Sequence, residues 1–474
     1  MYTYWVETKG GFSISHRQPP DELKKYPLFK EFEIAGTFWL PNQPNYFISG
    51  VLTFKPGEGI LIGINDLPWC DSERQGIHID VIQGCLADGS KCTICNCRAF
   101  IVTYVRERKY HRSTIYGEYM VLGKLLSNLQ DFVFSDLRCD FTHLNEWCEN
   151  PYRIEHKHDF RESLVSFNPD EFKIELEAEG VSFQLELFCS HSIPTEMDDK
   201  GKNWMYNYCL FIRPKEPQGF EWFLSIALQL RGCLMFLIGA AIYTLDLVAS
   251  FPKNTAGTDV SHGQVLQAVD VPSAIRSNRH DFSTRYVEIA EQLPQILKAW
   301  FNCAGELKVI MNTYKEMLLN DGSYEESLFL RIVQALEHFH GVIFPKDTRY
   351  LDPKAWKAFT DLVLPNVTQA LEDIGYKNDK GNNKKKILLD RFGFLNEISF
   401  MSRLKKLINE IPGPELMPLL NNPDNREKGI DEFVRKIDKT RNFLIHHEQK
   451  HAKGALKSHE LRRAISSYWA ILSY

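Results

Sequence analysis

Apolar and polar positions alternate most clearly between residues 172 and 187. Phe172, Ile174, Leu176 and Ala178 are interleaved with Lys173, Glu175 and Glu177. Past Glu179-Gly180, Val181, Phe183, Leu185 and Leu187 are interleaved with Ser182, Gln184 and Glu186. A period of two on both sides of a short turn predicts a β-hairpin with one buried face. Further strands are predicted over 46–54, 59–64, 77–82, 99–105 and 206–212. Glycine and proline punctuate them, as in a sandwich or an open barrel.

From Gly219 the apolar runs lengthen. Residues 222–248 are the most lipid-like stretch, but Arg231-Gly232 and Asp246 interrupt it. Its uninterrupted pieces fall short of the ~20 residues a bilayer requires, so a buried helix is predicted and no membrane partner is expected. Residues 251–281 are polar and turn-rich, with room for short strands, and read as a connector. Beyond them the apolar spacing becomes helical. Ile289, Leu293, Ile296, Leu297 and Phe301 share a face, as do Leu328, Ile332, Leu336 and Phe339, and Ile430, Phe433, Ile437 and Leu444. Lys377 to Lys386 reads as a basic loop. The expected class is α+β, with a β-rich domain over 1–218 and a helical and irregular connector over 219–300 that belongs with it. An all-α bundle is expected over 301–474.

Charge adds an asymmetry. The net charge of the 474 residues is −5. Residues 301–474 hold 27 Lys+Arg against 23 Asp+Glu, and the first 300 hold 29 against 38. A basic rear half suits an anionic partner. Eleven cysteines, with no secretory pattern in the opening residues Met1 to Glu7, point to a reducing cytoplasm.

Arg441-Asn442-Phe443-Leu444-Ile445-His446 carries the sharpest chemistry. Arginine holds phosphate through a planar fork of donors. Histidine, with an ordinary pKa near 6.5, exchanges protons at cellular pH. Asn442 and His446, four apart, share a helix face, whereas Arg441 lies about 140° from His446 by the 3.6-residue period. A two-fold pairing of such helices would bring two Arg/His sets into one cleft. Spacing alone also fits a solvated helix end, where cations are favoured by the dipole. Two other Arg-x-x-x-x-His matches exist, Arg106 to His111 after an apparent strand and Arg153 to His158 in a polar, proline-flanked loop. Neither has the following asparagine. Eight basic residues against three acidic ones between 436 and 474 extend a phosphate-binding character, with Lys436, Lys439 and Lys450 as candidate RNA contacts.

Cys85, Cys92, Cys95 and Cys97, near Cys70 and His78, admit a zinc reading. The spacing lacks a knuckle glycine, and on a strand Cys92 would face away from Cys95 and Cys97. Buried thiols serving as small hydrophobes are the commoner case, so no metal or other cofactor is expected.

Three features resemble HEPN domains of the Apea-like group. They are the helix Leu328 to His340, the segment Ser399-Phe400-Met401-Ser402-Arg403-Leu404, and Lys439 to His447 with its Arg-Asn-x-x-x-His. The N-terminal part is similar to the β-rich domain of the same group, through the Gly84…Asp88-Gly89 turn before a strand and Leu144 with Trp147 after one. This resemblance implies a cytoplasmic, metal-independent endoribonuclease of abortive-infection defence, with Arg441 and His446 catalytic and Asn442 beside them. Glu337 and His447 are supporting candidates. It implies an RNA substrate such as tRNA, a homodimer or higher homo-oligomer, and a phage-derived trigger sensed by the N-terminal domain. A non-catalytic HEPN-type regulator that binds RNA or protein remains the alternative. A β-sandwich recognition module with a helical dimerisation domain is a third reading.

Overall fold

The computed structural model describes residues 3–8, 26–65, 77–105, 110–156, 162–192, 205–252, 262–270, 282–319, 324–375, 384–410, 425–447, 454–457 and 460–461. The chain divides into two compact units, Met1–Ala304 and Gly305–Tyr474.

The first unit is built on a 13-stranded sheet among the described residues. Six antiparallel strands close into a barrel: Phe32–Trp39, Phe47–Lys55, Gly59–Asn65, Ile77–Leu86, Lys91–Val105 and Tyr110–Gly117. Closure leaves no free edge there. Phe38, Leu52, Phe54, Ile62 and Ile94 are buried in it. Gly84 is required by close approach. A Cβ at that position would stand 2.7 Å from the Phe38 ring and 2.8 Å from Cys92 Sγ.

The Lys91–Val105 strand also carries the sheet outward. Its early residues pair with Tyr119–Leu122, and the order then runs His262–Gln267, Thr244–Ser250, Asp136–Phe141, Met205–Pro214, Val181–Ser192 and Phe172–Ala178. The last two form the hairpin expected from alternation. Ala178 pairs with Val181, and Glu179 and Gly180 both adopt positive φ in the turn.

One expectation changes here. The apolar stretch 222–248 is not one helix. Helix α1 (Phe220–Ile238) ends where Gly239 turns left-handed, and Thr244–Ser250 is a strand inside the sheet. Within 251–281 one short strand, His262–Gln267, lies between two other strands of the sheet. Helix α1 is apolar and long enough to cross a membrane, but Phe223, Ile226, Leu230, Leu234 and Ile238 are buried in the protein. It lies over the open part of the sheet, where Leu185, Leu210, Leu230 and Leu234 line one small apolar hollow with Trp147.

A polar pair sits inside that sheet. Asp246 stands directly across from Asp140, whose carboxylate is already forked by Arg138, with Nε at 2.8 Å. Burial, then the Asp140 charge, pushes Asp246 up to about 6, although Gln264 Nε2 donates to it at 2.8 Å. A raised carboxyl pKa means the fold favours the protonated form. The stabilisation is therefore complete below the ordinary carboxylate range and is lost as pH rises through the folded pKa. Asp246→Asn should thus stabilise the first unit at pH 7.5 by about 2–3 kcal/mol, with the gain vanishing near pH 4. Urea midpoints at the two pH values check this, and an equal gain at both would refute titration as the cause.

The second unit is helical: α2 (Leu293–Leu319, whose later turns belong here), α3 (Glu325–Ile343), α4 (Pro353–Asp373), α5 (Lys384–Phe392), α6 (Phe400–Asn409) and α7 (Arg426–His446). Its core gathers Phe329, Ile332, Val333 and Leu336 of α3, Leu404, Leu407 and Ile408 of α6, and Ile430, Val434 and Ile437 of α7. Helix α4 starts behind an Asp352 cap and buries none of its residues. Lys384–Lys386 opens α5 rather than extending a loop, while residues 376–383 lie outside those described.

Candidate functional site

Helix α7 is specified at both ends. Asn425 Oδ1 accepts from the Lys428 N–H at 3.0 Å, Glu427 sits in the first turn, and His446 in the last. His447 closes it with φ of 51°, donating its N–H to Phe443 O at 2.7 Å. The mid-helix Thr440 is buried. Its hydroxyl bonds Lys436 O at 2.7 Å and accepts the Leu456 N–H at 2.9 Å, which fastens the following chain to α7.

Arg441, next in sequence, is partly buried and turns toward α3. Its Nη2 lies 3.3 and 3.4 Å from the two Glu337 oxygens. Its guanidinium carbon stands 5.0 Å from the centroid of the Phe400 ring, at the first residue of α6. Three helices therefore meet at this one cation. Asn442 lies on another stripe and donates to Asp438 Oδ2 at 3.2 Å, one turn earlier. His446 continues that stripe one turn later and is exposed, as is His447.

Arg441 and His446 thus leave the helix in different directions, as their spacing predicts. Asp438 and Phe400 join the site without having been marked as site residues by motif or spacing. Asp438 was legible at four residues before Asn442. Phe400 was not, because only packing tells which side chain of a buried turn meets the arginine.

Of the supporting lysines, Lys436 is within 3.9 Å of Glu460, Lys439 is exposed, and Lys450 lies outside the described residues. The rival motifs fare differently. Arg153 belongs to a strand, Tyr152–His156, rather than the loop expected, because it pairs with Glu162–Phe167. Arg106 and His158 lie outside the described residues, and His111 is on the barrel strand Tyr110–Gly117.

Cys92, Cys95 and Cys97 are buried on a strand while Cys85 is exposed. Burial pushes the Cys92 thiol up to about 12, as for a small hydrophobe. Cys70 is not among the described residues, and among those that are, no group of three or more His, Cys, Asp or Glu is placed to hold a metal. The Asp88-Gly89 turn expected before a strand is present. Gly89 has φ of 85° and Asp88 Oδ1 accepts from the Ser90 N–H at 2.9 Å. Leu144 and Trp147, both buried, form a one-turn helix after the strand Asp136–Phe141.

Residues 33–300 match the family described as ApeA N-terminal domain 1, and residues 330–474 match that described as Apea-like HEPN. The chain is therefore a HEPN-domain protein. More closely, it belongs to the ApeA-type HEPN family, whose members are anti-phage defence proteins of the nuclease type. No curated protein and no solved structure matches it.

Proposed function

We propose that this protein is a metal-independent endoribonuclease that acts in the cytoplasm during abortive infection. The observation that carries the reading is helix α7. It fixes Arg441 between Glu337 and the Phe400 ring and leaves His446 on an exposed final turn. In the proposed reaction the RNA 2′-hydroxyl attacks the adjacent phosphate, so DNA is spared. His446 exchanges the proton, and Arg441 stabilises charge on the pentavalent phosphorus. The products are a 2′,3′-cyclic phosphate and a 5′-hydroxyl. Asn442, held by Asp438, is the accompanying polar residue. Lys436, Lys439 and Lys450 supply further phosphate contacts, and His447 lies next in line as a proton carrier.

The divergence of Arg441 and His446 around α7 supports a two-fold homodimer, in which the arginine of one copy meets the histidine of the other. The first unit senses a phage-derived trigger and restrains the nuclease. Structured RNA such as tRNA is the proposed substrate. The test is incubation of purified protein with total RNA in EDTA, beside His446→Ala, followed by analysis of fragment ends. Cyclic-phosphate ends that vanish in the variant support the reading. Equal cleavage by both proteins sinks it.

Glu337 competes with phosphate for one edge of the Arg441 fork. Glu337→Gln, in a His446→Ala background, should bind an RNA oligonucleotide about threefold more tightly, the scale of a partly exposed ion pair. Fluorescence anisotropy measures this. Weaker binding would mean that Glu337 orients Arg441 instead of competing for it.

A further inference from the structure

The segment Ser399 to Leu404 takes part in no chemical step of the mechanism above, yet it is fastened at several points. Buried Asn396 exchanges hydrogen bonds with the Leu351 backbone at 2.7 and 2.9 Å, and the Ile398 N–H donates to Thr348 O at 3.1 Å. Ser399 caps α6 by accepting from the Ser402 N–H at 3.3 Å. Arg403 Nε reaches back to Ile398 O at 3.0 Å. The one residue thereby fixed at the head of α6 is Phe400, whose ring faces the Arg441 guanidinium at 5.0 Å. That is within the distance at which a cation is attracted to an aromatic face.

We propose that Phe400 is a positioning residue for the nuclease reaction. Its ring sets the plane of the Arg441 guanidinium, so that the fork meets the phosphate edge-on. This inference rests on the nuclease reading. Its physical basis is a division of labour around one side chain. Glu337 engages only Nη2, which fixes a single point and leaves the plane free to rotate. A ring against one face removes that rotation. Arginine gains most from such pre-organisation, because its planar fork loses little entropy on bonding once it is oriented. The attraction depends on the ring's quadrupole as well as its volume, and that separates a positioning role from simple core filling.

The test places phenylalanine analogues of increasing ring fluorination at position 400 of the full-length chain, beside Phe400→Leu and His446→Ala. Fluorine weakens the quadrupole at nearly constant shape, so thermal melting should stay level across the series. The expected result is a graded fall in kcat for RNA cleavage, reaching about three- to tenfold and exceeding any rise in KM. The Arg441 side-chain N–H signal, shifted by the ring current, should move to its free position in Phe400→Leu. Two results overturn the proposal while leaving the nuclease standing. One is a flat kcat across the fluorinated series with His446→Ala inactive. The other is an Arg441 signal indifferent to Phe400→Leu. Cleavage by His446→Ala at the wild-type rate overturns the nuclease reading itself, and the positioning role with it.

Discussion

Replacing His446 with alanine should abolish RNA cleavage, by about 10²–10⁴-fold, the range removed with a general acid or base. The substitution is structurally mild. His446 lies exposed on the final turn of α7, and the cap that ends the helix is made by the His447 backbone. Helicity and melting temperature should therefore match wild type, so lost cleavage reports chemistry and not unfolding. Arg441→Ala should cost about 10²–10³-fold, as for loss of a transition-state charge donor. It also strips Glu337 of its cation. Mixing the two inactive variants supplies a further check. If two copies build each site, a heterodimer regains one Arg/His pair, and partial activity should return. Activity that stays absent in a confirmed heterodimer would place both residues of a site on one chain.

The largest stability effect is expected at Phe329. Its side chain is fully buried in the second unit, where α3 packs against α6 and α7. Phe329→Ala removes a ring and leaves a cavity that three helices cannot close without moving. Such changes cost about 3–5 kcal/mol. For a unit of this size, that lowers the melting temperature on the order of 10 °C. Calorimetry of the full-length protein should show the transition of the second unit shifted and that of the first unit in place. A single transition moving as a whole would mean that the units unfold together. Activity should fall with the folded fraction, because Glu337 rides on the same helix two turns later.

Much of this was legible in the amino-acid order. The hairpin at Glu179-Gly180 announced itself because one face is buried and the other wet, so every second residue had to be apolar. Helix α7 announced itself through Ile430 and Ile437, which the core buries. Strands buried on both sides left no such trace. Thr244–Ser250 followed an apolar helix without a change of character, and composition could not separate the two. His262–Gln267 is only weakly marked as a strand because Gln264 is polar, yet that amide is buried and donates to Tyr26 O at 2.7 Å and to Asp246. Arg153 reads as loop for a related reason, since its strand gains a partner only in Glu162–Phe167, further along the chain.

The sequence by itself determined the two-part organisation, the helical spacing that sets Asn442 and His446 on one stripe, and the resemblance that named the family. Those properties are local, or are carried by motifs a few residues long. The tertiary structure alone decided that six strands close into a barrel and that Glu337, Phe400 and Arg441 come together. Barrel closure depends on Lys91–Val105 finding Tyr110–Gly117 on one side and Ile77–Leu86 on the other. The Arg441–Glu337 contact joins residues 104 positions apart. Pairings at that range are chosen by the packing of whole elements, and no window of sequence contains them.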